Sequence, residues 1–132
     1  MKRLVFDIET AGANFDDLDE VSRNLLEQRF RRQAKTEEEF EKEKERLAFY
    51  APTSQIIAIG MLDADSQKGA VYFQGSGEPF EEEGVKFELG REAEILNKFW
   101  QTATHFEEFI TFGGRIFDAP ILMTRSAIHN IR

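Results

Sequence analysis

Leu4-Val5-Phe6-Asp7-Ile8-Glu9-Thr10-Ala11-Gly12 is the stretch on which the reading of this chain turns. Leu4, Val5, Phe6 and Ile8 are apolar, and Val and Ile favour strands, so Lys2 to Ile8 reads as a short buried strand. Thr10 to Asn14 reads as the turn that follows it. Asp7 and Glu9 stand two apart, and the two-residue period of a strand turns both carboxylates to one face. Like charges so close repel unless something positive lies between them. A hard divalent cation such as Mg²⁺ or Mn²⁺ is the natural partner for such oxygens. A solvent-facing acidic pair is the plainer alternative, and Asp-x-Glu alone does not decide between them.

The bulk numbers set limits. At 132 residues the chain suits one domain, and 41% hydrophobic residues suit a folded core. It contains no cysteine, which excludes disulfides and thiolate zinc sites and is compatible with a reducing compartment. The apolar run before Asp7 is too short for a signal peptide, and no stretch reaches transmembrane length. A soluble, cytoplasmic protein is expected, with no membrane partner. The net charge of −8 argues against coating nucleic acid by phosphate neutralisation alone. It argues less against a nuclease whose bound cations supply the positive charge.

Downstream of the first strand, residues 14–52 read as a charged helical insertion. Asp16, Asp17 and Asp19 suit a helix start, and Leu18, Val21, Leu25, Leu26 and Phe30 recur at helical spacing. Thr36, with Glu39 three residues later, suits the cap of a second helix running from Glu37 to about Phe49. A solvated helix pair is the expectation for this region. Ile56 to Leu62 and Ala70 to Gln74 read as a hairpin, and Val85 to Leu89 as a further strand. Arg91 to about Phe106 is a helix with the stripe Ile95, Leu96, Phe99 and Trp100. Phe109 to Phe112 is a strand, Gly113-Gly114 a turn, and Ala119 to about Ile128 a helix with Pro120 in its first turn. This order implies a mixed sheet flanked by helices. Asp118, at the start of the last helix, reads as an N-cap that leaves an oxygen free. His129 reads as a helix-surface residue.

Taken together these segments resemble the DEDD 3′–5′ exonuclease superfamily. Asp7, Glu9, Thr10 and Gly12 are similar to its Asp-x-Glu-Thr-x-Gly motif. The strand, turn and Phe117-Asp118-x-Pro120-x-Leu122 resemble the second motif of exonucleases related to the proofreading domain of family B DNA polymerases. Pro52 before Ile56 to Gly60, and Glu94-x-Leu96-x-x-Phe99, fit that subfamily as well. The resemblance implies a ribonuclease H-like α/β fold over residues 1–132, C-terminally incomplete, with the insertion after its first strand. It implies that Asp7, Glu9 and Asp118 are catalytic and bind metal, as ligands of two Mg²⁺ or Mn²⁺ ions. Thr10, Ala11, Gly12, Gly113 and Phe117 would contact substrate, a nucleic acid with a free 3′ end, expected to be single-stranded DNA.

Two departures stand out. Gly113 occupies a turn position where the family has Asn. After Asp118 there is no Asp, Glu or Tyr to serve as the family's third motif. The chain is therefore expected to be either a truncated product or a degenerate relative, inactive alone, with self-association covering its incomplete core. A non-catalytic nucleic-acid-binding or assembly module is the alternative. An endonuclease of the wider ribonuclease H-like group is a third reading, which Thr10-x-Gly12 disfavours.

Overall fold

The computed structural model describes residues 1–131. A mixed six-stranded sheet and four α-helices make an α/β fold consistent with the ribonuclease H-like expectation. The strands are β1 (Arg3–Gly12), β2 (Ser54–Asp63), β3 (Gly69–Phe73), β4 (Phe80–Glu82), β5 (Val85–Leu89) and β6 (Glu108–Ile110). The helices are α1 (Glu20–Gln33), α2 (Glu37–Lys44), α3 (Glu92–Ala103) and α4 (Asp118–Ile128). Strand order across the sheet is β4-β5-β3-β2-β1-β6. The backbone gathers into two compact units, one formed by residues 1–9 with those from Ile56 onward, the other by Thr10–Gln55.

In the sheet unit, alternation along β1 buries Leu4, Phe6 and Ile8 and leaves Asp7 and Glu9 exposed on the other side. The α3 stripe of Ile95, Leu96 and Phe99 is fully buried, and the Phe6 and Phe99 rings meet edge-on with centroids 5.1 Å apart. From α4, Ile121 and Leu122 are buried, and Trp100 Nε1 donates to Ser126 Oγ at 2.9 Å.

The expected hairpin forms as β2 and β3, antiparallel from Ala58↔Phe73 to Leu62↔Gly69. Its turn is drawn together by Asp63 Oδ1, which accepts from the Asp65 N–H at 2.9 Å and the Ser66 N–H at 3.3 Å. The β4 strand falls outside the sequence expectation. It pairs antiparallel with β5 through Glu83 and Gly84, both with positive φ (50° and 80°), the backbone of a tight hairpin turn. Phe80 and Phe87 are directly opposite and their rings stack with centroids 4.5 Å apart.

Three boundaries also differ. β1 continues to Gly12, so Thr10 to Gly12 are strand rather than turn. The Ala13 N–H finds the Thr53 carbonyl at 2.7 Å, and Thr10 Oγ1 donates to the Ala48 carbonyl at 2.7 Å. β6 stops at Ile110, because the chain swings out through a wholly exposed Phe112 into the left-handed Gly113. The second insertion helix ends as α-helix at Lys44 and tightens into a 3₁₀ helix over Glu45–Phe49.

The Thr10–Gln55 unit is more than a solvated helix pair. Phe15, Phe30, Phe40 and Leu47 form its own buried cluster, with Leu18, Leu26, Ala34 and Tyr50 packed around them. Val21 and Leu25, expected on the apolar stripe, are exposed. Asp19 caps α1 by accepting from the Ser22 N–H at 2.9 Å, and Thr36 caps α2 by accepting from the Glu39 N–H at 3.1 Å.

Candidate active site

The first two candidate carboxylates come from β1. Asp7 and Glu9 are exposed on one face, opposite the buried Phe6 and Ile8. Two residues of strand separate their Cα atoms by about 7 Å. β6 pairs with β1 in parallel through Arg3↔Glu108, Leu4↔Phe109 and Val5↔Ile110. Both carboxylates thus lie beyond the last residue that β6 covers.

The third carboxylate arrives through the turn after β6. Gly113 has φ +71°, in the left-handed region that glycine enters freely and asparagine tolerates. The turn then caps α4 with its own carbonyls. Ile116 and Phe117 N–H donate to the Gly113 carbonyl at 3.0 and 2.9 Å, and Ala119 N–H donates to the Gly114 carbonyl at 2.7 Å.

Asp118 is therefore the first residue of α4, behind an N-cap position held by Phe117. This corrects the N-cap expectation: Phe117 holds that position, and the Asp118 carboxylate is bonded to Thr111 instead. It is 1% exposed, and its Oδ2 accepts a hydrogen bond from Thr111 Oγ1 at 2.5 Å. Phe117 is half-buried and Gly113 is exposed.

The remaining expected contact residues belong to the helical unit. Thr10 is half-buried and bonded to Ala48; Ala11 and Gly12 are exposed. A Cβ on Gly12 would stand 2.7 Å from the Ala48 nitrogen, so glycine there permits close approach of the Leu47–Ala48 backbone.

The carboxylate oxygens are of the right chemical type for Mg²⁺ or Mn²⁺, and Asp7 and Glu9 share a face. However, among the described residues no three His, Cys, Asp or Glu side chains gather into a group able to hold a metal ion. Asp118 is turned to Thr111 rather than into a shared cluster with Asp7 and Glu9.

A second charged constellation went unrecognised in the sequence. Glu92, 3% exposed, receives Arg125 Nη2 at 2.6 Å and Nε at 3.1 Å, and the Ile56 N–H at 2.5 Å. His129 Nε2 lies 2.6 Å from Glu92 Oε1, so this histidine is held against the Glu92–Arg125 pair instead of lying free on the helix surface. Burial pushes the Glu92 carboxyl up, but the bonds from Arg125, His129 and Ile56 outweigh it and hold the group below the ordinary glutamate range.

Residues 49–132 match the family described as predicted 3′–5′ exonucleases related to the exonuclease domain of PolB. The chain belongs to this family. The matched residues include Thr111, the Gly113-Gly114 turn, Asp118 and the Glu92 cluster, while Asp7 and Glu9 precede them. A comparison with curated proteins gives no match. Among the described residues no helix is long and apolar enough to cross a membrane.

Proposed function

We propose that this chain contributes to metal-dependent 3′–5′ exonucleolytic hydrolysis of nucleic acid, with single-stranded DNA ends as substrate. One observation carries the reading. The strand bearing Asp7 and Glu9 and the strand leading to Asp118 are parallel neighbours, so both segments leave the sheet at the same end. Family membership supports the same reaction class.

In this reading Asp7, Glu9 and Asp118 hold Mg²⁺ or Mn²⁺, two ions in the complete arrangement. Bound cations would supply Lewis acidity and positive charge at the scissile phosphate. The chain's own contribution is positional. β1 fixes two carboxylates on one exposed face, and the Gly113-Gly114 turn sets Asp118 at the head of α4. Phe117 directly precedes Asp118, where it can offer a ring to a terminal base, and Gly113 opens the same turn. With a net charge of −8, bound cations would supply the local positive charge that a polyanion meets.

The non-catalytic reading is favoured by one observation, the lack of a three-carboxylate group among the described residues. A 5′-labelled single strand incubated with the protein and Mn²⁺ separates the two. Stepwise shortening from the 3′ end, abolished by Asp7→Asn and by Asp118→Asn, supports the enzyme. Retention of the labelled strand without shortening supports the binding module, and internal cuts support an endonuclease.

A further inference from the structure

β6 is the last strand of the sheet, so only the side toward β1 is paired. All three of its residues, Glu108, Phe109 and Ile110, are exposed. Backbone groups alternate in direction along a strand, and the Glu108 N–H donates toward β1, to the Lys2 carbonyl at 3.1 Å. The N–H and carbonyl of Phe109 therefore point outward, to the open border.

Three features surround these two groups. The first is apolar area. Phe112 is 98% and Ile116 89% exposed, and Phe109, Ile110 and Met123 are exposed beside them. Together they present apolar surface on the order of 600 Å², close to the roughly 800 Å² per partner of a stable interface. The second is a hollow. Phe109 and Ile110 line, with Phe6, Phe99, Trp100 and Leu122, a cavity of about 580 Å³ at this border. The third is charge. Exposed Glu107 and Glu108 stand at the start of β6, and exposed Arg115 follows its end. Gly114 lies against the Thr111 side chain, which keeps Arg115 close to Thr111.

We infer that a second copy of this chain covers the border, its β6 running antiparallel to the first about a two-fold axis at Phe109. Each Phe109 then exchanges both backbone bonds with its counterpart, Glu108 faces Ile110, and Glu107 faces Thr111. The acidic start of each strand thereby meets the Arg115 end of the other. A parallel approach would set acid against acid. The same pairing brings together the apolar side chains around both cavities. An unpaired copy keeps the border open to any extended segment. The pairing stands apart from the cation reading above.

The chain has no cysteine, so a single introduced one reports the contact. Cα atoms of a hydrogen-bonded antiparallel pair lie about 5.5 Å apart, within disulfide reach. Phe109→Cys is expected to cross-link into a dimer on mild oxidation, and Glu81→Cys, on β4, is not. Sedimentation equilibrium of the unmodified chain gives the dissociation constant, with folding of each variant checked by circular dichroism. Arg115→Glu should weaken dimerisation by about 10-fold or more, because acid then faces acid. Adding Glu107→Arg to it should recover most of that loss. Ile110→Lys should weaken the dimer as well. A parent chain that sediments only as a monomer overturns the inference. So does a parent that dimerises while Phe109→Cys stays uncross-linked, which places the contact elsewhere. Cross-linking of Glu81→Cys as strong as that of Phe109→Cys marks random collision and overturns it too. An Arg115→Glu chain that dimerises like the parent, or a double variant no better than the single one, removes the charge match and the antiparallel pairing with it.

Discussion

Arg125 grips the carboxylate of Glu92 with two nitrogens, Nη2 at 2.6 Å and Nε at 3.1 Å from Oε1. The Ile56 amide reaches the second oxygen, so one side chain ties α3 to β2 and to α4. Removing it would leave a guanidinium with little water around it and a buried amide without a partner. Glu92→Ala is therefore expected to cost about 3–5 kcal/mol in chemical unfolding. Arg125→Ala, which leaves the carboxylate with the Ile56 amide and His129, should cost less.

The same cluster sets an acid limit on stability. The Glu92 carboxyl is held below its ordinary value in the folded chain, so the folded state releases that proton more readily than the unfolded one. The resulting stabilisation is present above the unfolded glutamate pKa of about 4.3 and is lost as pH falls through the folded value. Melting temperature measured from pH 7 downward should drop through this window. Glu92→Gln should show a shallower drop than the parent; equal slopes would remove Glu92 as the cause.

Gly113 offers a test of the turn. Its φ of +71° is open to Gly and Asn, and a Cβ there meets nothing within 4 Å. Gly113→Asn is expected to leave stability within about 1 kcal/mol of the parent, whereas Gly113→Val should cost more, because a β-branched residue is strained at positive φ. Equal melting curves for the two would show that the turn does not depend on this backbone state.

In the helical unit, Phe30 is wholly buried among Phe15, Phe40 and Leu47. Phe30→Ala should cost about 3–5 kcal/mol through lost burial and the cavity left behind. Far-ultraviolet circular dichroism should show the loss as melting of helix. Val21→Ala, at an exposed site, should cost well under 1 kcal/mol and serves as the control.

What the sequence reveals depends on how far apart the interacting residues lie. The Asp7 and Glu9 pairing on one face is readable because a strand's period is local, and the α3 stripe is readable for the same reason. Phe30 is readable at helical spacing, but its cluster with Phe15 and Phe40 is not, since the three lie on different helices and share no period. Val21 and Leu25 have helical spacing and still face water, because spacing alone does not say which face is covered. The β4 hairpin turns on Glu83-Gly84, a weaker signal than Asn-Gly, and so escaped notice. In the site, the motif identified Asp118, but its bond to Thr111 required the turn to be built. Glu92 meets Arg125 and His129 across 33 and 37 residues, and only the folded chain shows the encounter.

The two outer strands of the sheet are differently protected. β4 carries Glu81 and Glu82 along its border, and charge there repels an approaching chain. β6 ends the strand order on the other side with Phe109 and Ile110 both close to half exposed and a single acid, Glu108. When the protein is concentrated, aggregation should therefore start at that unguarded border, where a stray extended segment can zip onto the free amides. A lysine placed at position 110 would be the simplest guard.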